Sequence, residues 1–109
     1  MVNPRNWFAE AIATYALVFF GPLSIILSVV AFGDGLSIES IIMISLGHGA
    51  VIGLMVYAFG HISGAHINPA VTIPMMITKK ISVQDGIGYI IFQLLGAIIA
   101  ALSLKAILP

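Results

Sequence analysis

Gly60-His61-Ile62-Ser63-Gly64-Ala65-His66-Ile67-Asn68, running on into Pro69-Ala70-Val71-Thr72-Ile73-Pro74-Met75-Met76-Ile77-Thr78, is the stretch on which the fold turns. Its first part is too polar and too rich in glycine for a membrane-spanning helix. Its second part is apolar and suits a helix, but about ten residues rise only ~15 Å, half of a ~30 Å hydrocarbon core. Asn68-Pro69 has the form of a helix start, because Asn caps well and Pro is favoured in the first turn. The pattern predicts a re-entrant segment over residues 60–78: an irregular strand descends to mid-membrane and a half-helix returns to the side it came from. Lys79-Lys80 then marks the return to water. Irregular backbone is tolerated at that depth only inside protein or against a wet cavity, which points to transport. The strand would offer carbonyl acceptors. The half-helix would aim its positive end and free N–H groups at the membrane centre, and the Asn68 amide would add a donor.

Working outward, three long apolar segments surround this stretch. The first covers about residues 7–32 and holds one charge, Glu10, with Pro22 tolerable as a kink. The second covers about residues 38–59, its apolar part starting near Ser40, with His48 as its ionisable group inside that part. The third covers about residues 85–106, most apolar from Gly86 to Leu104, with Gln93 as its main polar side chain and Asp85 at its N-terminus. Each is long enough to cross a bilayer core. Composition agrees. Hydrophobic residues make up 61% of the 109, charged residues 7%, and the mean hydropathy is +1.17. A soluble domain carries roughly 25% charge, so the bilayer is the expected solvent. The expectation is one all-α membrane unit over residues 1–109, with three transmembrane helices and one re-entrant half-helix.

The formal net charge is zero, which gives no reason to expect a nucleic-acid partner. Cysteine is absent, so disulfide and thiol chemistry are excluded. The three histidines lack metal-ligand spacing, no cofactor is implied, and Glu10, His48, His61 and His66 show no nucleophile–base spacing that would suggest an enzyme. The first apolar segment is too long for the core of a secretory signal and has no clear cleavage site. Arg5, Lys79 and Lys80 fall on one face if the segment is re-entrant; Asp34 and Glu39 fall on the other, with Lys105 as the one basic exception. The positive-inside rule then places the N-terminus in the cytoplasm of a multi-pass cell-membrane protein.

His61-Ile62-Ser63-Gly64-Ala65-His66-Ile67-Asn68-Pro69-Ala70-Val71-Thr72 closely resembles the first signature loop of the aquaporin and glycerol-facilitator (major intrinsic protein) family. Ala9-Glu10 and Tyr89-Ile90-Ile91-Phe92-Gln93-Leu94-Leu95-Gly96-Ala97 match as well. The resemblance spans essentially the whole chain, but only the N-terminal half of the family's usual length. It implies one of two inverted repeats, each with a half-helix headed by Asn-Pro-Ala, in a channel for water and small neutral solutes such as glycerol or ammonia. Asn68, Pro69 and Ala70 would then stand at the pore centre, Gly64, Ala65 and His66 would present carbonyls, and Glu10 would hold the loop in place. His48 falls at the family's outer constriction, where histidine accompanies broader permeability. The family usually forms tetramers of complete channels.

Each residue also has a plainer reading. Taken alone, Glu10 is as well explained as a solvated helix-end charge. His48 lines a pore or donates a bond between helices, and Asn68 would be favoured for capping alone. His61 reads as a loop-packing residue. His66 reads as a backbone contributor with its ring bonded to Glu10. Gln93 reads as a bond between helices, and Gly49, Gly53, Gly96 and Ala100 as sites of close helix crossing. A second half must come from a longer chain, an inverted copy or a separate protein. The rival to a channel is a non-conducting remnant that serves only in membrane assembly. An ion carrier is disfavoured, because no acidic or clustered oxygen ligands sit beside Asn68.

Overall fold

The computed structural model describes residues 3–108. Four helices follow in order: α1 (Pro4–Phe32), α2 (Ile38–Phe59), α3 (Pro69–Ile77) and α4 (Val83–Ile107). Three of them, α1, α2 and α4, are long and apolar enough to cross a membrane. The protein is an all-α membrane protein with one additional short helix. Its outward faces are apolar, with Leu36, Leu54, Tyr57, Val30 and Leu102 all exposed. So much uncovered apolar surface suits lipid or a protein partner and would not suit water.

The helix starts follow local chemistry. α1 begins at Pro4, three residues before the start read from hydropathy, because Pro in the first turn forfeits only an N–H that would be orphaned anyway. Ser37 and Ser40 form a reciprocal capping box at α2. Ser82 caps α4, where its side chain accepts from the Asp85 N–H, so α4 starts at Val83 and not at residue 85. Pro22 lies inside α1 without ending it.

The packing order places the short helix. A brief turn after Phe32 sends α2 back along α1. α4 runs parallel to α1: the Asn3 N–H donates to Asp85 Oδ1 at 3.0 Å, and the Tyr15 hydroxyl donates to Ser103 Oγ at 3.0 Å. Close approach depends on missing side chains. A Cβ at Gly96 would strike the backbone of Ala11, and one at Gly88 would strike the Trp7 ring. The end of α2 and the start of α4 therefore lie at the same end of the bundle, so residues 60–82 leave and return on one side. The inner turn of this segment reaches Thr14, whose hydroxyl donates to the Ile67 carbonyl at 3.0 Å. Thr14 lies ~15 Å along α1 from Pro4. From that depth α3, nine residues and ~13 Å long, runs back until Met76 touches Gly86 in the first turn of α4. This is the re-entrant course, with Arg5, Lys79 and Lys80 near one end of the bundle and Asp34, Glu39 and Lys105 near the other.

Two of the four expected crossing sites differ. Gly96 and Ala100 are buried, but nothing lies within 4 Å of a Cβ built on Gly49 or Gly53. The small residues of the α1–α2 contact are Gly21 and Gly47, which receive His48 and Ser24 respectively. Small-residue spacing alone does not tell which stripe of α2 faces α1.

Candidate functional site

The site is built around Glu10, which is wholly buried in the second turn of α1. No basic side chain pairs with it among the described residues. Four donors converge on its carboxylate instead. The Ser63 hydroxyl donates to Oε2 at 2.6 Å and the His66 backbone N–H to the same oxygen at 3.1 Å. The Ile67 N–H and the Gln93 side-chain amide each donate to Oε1 at 2.8 Å. With donors only, the arrangement suits an acceptor-only carboxylate. A charge in this setting is tolerable because every lone-pair direction in use meets an N–H or O–H.

That grip holds unusual backbone. Gly64, Ala65 and Ile67 all have positive φ, at 87°, 49° and 65°. Glycine adopts such angles freely, alanine less so, and a β-branched residue rarely. The two non-glycine cases cost of order 1–3 kcal/mol each. Ala65 is steadied by its N–H on Ser63 Oγ at 3.1 Å. Ile67 is held at both polar groups, N–H on Glu10 and carbonyl on Thr14. Hydrogen bonds to a charged group contribute roughly 1.5–3 kcal/mol each, the size needed to hold this strain.

The geometry divides the loop carbonyls into two sets. Those of Ser63 and Ile67 are occupied, by the Tyr89 hydroxyl at 2.7 Å and by Thr14. Those of Gly64, Ala65 and His66, which lie between them, accept no hydrogen bond from any described residue. Three consecutive acceptors are thus left for something outside the chain. Next to them Asn68 caps α3, its Oδ1 accepting from the Ala70 N–H at 2.8 Å. The Val71 and Thr72 N–H groups bond the Asn68 carbonyl, and Pro69 has none. The free N–H groups expected at this helix start are therefore consumed locally. What remains is the positive end of the helix and the exposed Asn68 side-chain NH2.

His66 departs from expectation in one respect. Its backbone bonds Glu10, but its ring does not: Nδ1 lies 2.9 Å from Thr72 Oγ1, and the ring packs 4.9 Å from that of Tyr89. Gln93 bridges the parts, its amide donating to both Glu10 and Thr72, the latter at 3.0 Å. Its Oε1 is buried without a partner among the described residues, a local cost of about 1–3 kcal/mol. His48 stands apart. Its Nδ1 lies 2.8 Å from the Ile44 carbonyl, and its ring covers Gly21, ~10 Å beyond Thr14 along α1. His61 is exposed. Among the described residues no group of three or more His, Cys, Asp or Glu gathers as a metal site.

Thr14, Ser63, Thr72 and Tyr89 are members of this network that sequence reasoning passed over. The signal was present, since Glu10 and Thr14, like Tyr89 and Gln93, are polar pairs four residues apart on otherwise apolar helices and so share a face.

The family model described as "Major intrinsic protein" matches residues 1–109. The chain belongs to that family. It is 43% identical over 102 residues to "Glycerol uptake facilitator protein-like 6" of Lactiplantibacillus plantarum, covering 94% of this chain and 43% of that protein. It is 42% identical over 105 residues to "Aquaporin-2" of Homo sapiens, covering 96% of this chain and 36% of that protein. "Aquaporin-2" of Talpa europaea matches at 41% over 105 residues, 96% of this chain and 91% of the sequence compared. The chain thus spans less than half the length of the bacterial and human relatives. As an MIP-family member it carries the re-entrant site between α1 and α4.

Proposed function

We propose that the chain is one repeat of a passive transmembrane channel for water and small neutral solutes, completed by a second half. The observation that carries this reading is the row of unpartnered carbonyls at Gly64, Ala65 and His66, ending at the free amide of Asn68. Left without donors, a polar row of this kind is costly in a dry setting, and a file of permeant molecules supplies the missing donors. Pro69 and Ala70 start the half-helix beside it, whose positive end disfavours cations. Glu10 anchors the loop, and His48 lines a constriction ~10 Å further along α1.

The missing half supplies the opposite pore wall. It comes from a continuation of the chain, a separate protein or an inverted copy, and complete channels gather as tetramers. Arg5, Lys79 and Lys80 at one end orient that end, with the N-terminus, toward the cytoplasm of a multi-pass cell-membrane protein. Passage of an ammonia-sized or glycerol-sized solute follows from histidine at the constriction.

Stopped-flow light scattering on proteoliposomes tests the reading. Rapid shrinkage with a low activation energy is expected, and Asn68→Asp, which replaces the free NH2 with an acceptor, should slow it by at least tenfold. Rates equal to those of empty vesicles, for the chain alone and with its completing half, would leave the assembly-remnant reading in its place.

A further inference from the structure

We infer that the chain holds its two half-buried histidines in opposite tautomers, His48 protonated on Nδ1 and His66 protonated on Nε2. A permeant then meets an acceptor nitrogen near Gly21 and a donor N–H beside the half-helix. The inference rests on the channel reading and deepens it, because it names two side chains that select solutes able both to donate and to accept a hydrogen bond.

Each assignment follows from what the partner atom can do. His48 Nδ1 lies 2.8 Å from the carbonyl of Ile44, four residues earlier on the same helix. A carbonyl oxygen only accepts, so Nδ1 carries a proton, and in the neutral ring Nε2 keeps its lone pair. The Nε2 edge of the ring lies 2.8 Å from where a Cβ would stand on Gly21. The absent side chain is the seat of the ring and makes Gly21 a positioning residue for it.

His66 is governed by a chain of hydrogen bonds whose direction starts at a charge. Glu10 accepts only, so Gln93 turns its NH2 toward Oε1, and the second N–H of that amide reaches Thr72 Oγ1. The reverse amide orientation would set oxygen against oxygen. Thr72 is fully buried, and its hydroxyl proton has His66 Nδ1 as its one acceptor among the described residues, at 2.9 Å. If Nδ1 carried a proton, the Thr72 hydroxyl would be a buried donor with nothing to bond. Nδ1 therefore accepts, and the proton is on Nε2. The polarity passes from Glu10 through Gln93 and Thr72 to the ring, which makes Thr72 and Gln93 positioning residues for His66. Neither Nε2 is bonded to any described residue, and neither is fully enclosed. Along α1 the two levels, Gly21 and Glu10, are ~16 Å apart.

The full chain with 15N-labelled histidine, in lipid nanodiscs near neutral pH, gives the test by NMR of the ring nitrogens; His61→Gln removes the third signal. Expected are a protonated Nδ1 and bare Nε2 for His48, and the reverse for His66. Thr72→Val should abolish the single tautomer of His66 and leave His48 unchanged, while Thr72→Ser should preserve both and show that loss of the hydroxyl, not misfolding, is the cause. His66 protonated on Nδ1, or on both nitrogens, would overturn the inference. So would a His66 spectrum indifferent to Thr72→Val. Water flux measured on the same samples separates the two readings. Absent flux with the expected tautomers would uphold the proton positions and remove the channel reading, and normal flux with both histidines in the same tautomer would overturn this inference alone.

Discussion

The two halves of α1 are held by different means. In the first half Glu10 and Thr14 bind the loop through charge-assisted and neutral hydrogen bonds, and Ala11 lies against Gly96 of α4. In the second half Ser24 and Ser28 turn their hydroxyls back onto carbonyls of their own helix, at 2.6 and 2.7 Å, and α2 approaches through Gly21 and Gly47. Only Ser40 and Val51 of α2 are buried. The first contact dictates backbone angles that the loop would not otherwise adopt. The second fixes only how closely two helices approach, and leaves most of α2 to lipid or another chain. Where backbone must be strained, a buried charge with directional bonds is needed; where two helices merely adjoin, small residues suffice.

Five substitutions would break or sharpen that contrast. Glu10→Leu is expected to have the largest effect, because it strands the Ser63 hydroxyl, two N–H groups and the Gln93 amide; a loss of roughly 3–5 kcal/mol is expected from removing one member of a buried charged network. Unfolding in detergent should show it, with much faster amide exchange at His66 and Ile67. Gly96→Val should cost about 1–3 kcal/mol by forcing a side chain into the Ala11 backbone, read in the same titration. Thr14→Val removes one neutral bond to the strained Ile67 and should cost about 1 kcal/mol, with exchange accelerated only near residue 67. The smallest effect is expected at Gly49→Ala, which meets open space and should stabilise α2 by about 0.5–1 kcal/mol through helix propensity. Gly47→Ala, two residues away and against Ser24, should destabilise instead. Equal effects at both positions would contradict the described α1–α2 contact.

The spans, the short helix and its cap were legible because they rest on local chemistry: hydropathy over α1, α2 and α4, and the Asn68-Pro69 start. The course of residues 60–68 was legible only in outline. Positive φ at Ala65 and Ile67 cannot be read from residue type, since both residues avoid it unless outside groups enforce it. For the same reason the His66 ring was expected on Glu10, when the loop turns its N–H there and its ring toward Thr72. Gly49 and Gly53 read as crossing sites and Gly47 does not, and only the packed partner distinguishes them. Tyr89 could have been found from its spacing to Gln93, but Thr72 lies alone on a short helix and draws notice only once its partners are known.

The central claim is that Gly64, Ala65 and His66 turn their carbonyls to a water path while their neighbours are spoken for. Isotope-edited infrared spectroscopy of the chain in lipid, with 13C=O placed at one residue at a time, reads this directly. The carbonyls at 64, 65 and 66 should show the lowered stretch of a hydrated group, and those at Ser63 and Ile67 should lose their bonded position only when Tyr89→Phe and Thr14→Val remove their donors. Dry, unbonded frequencies at 64 to 66 in a complete channel would contradict the account.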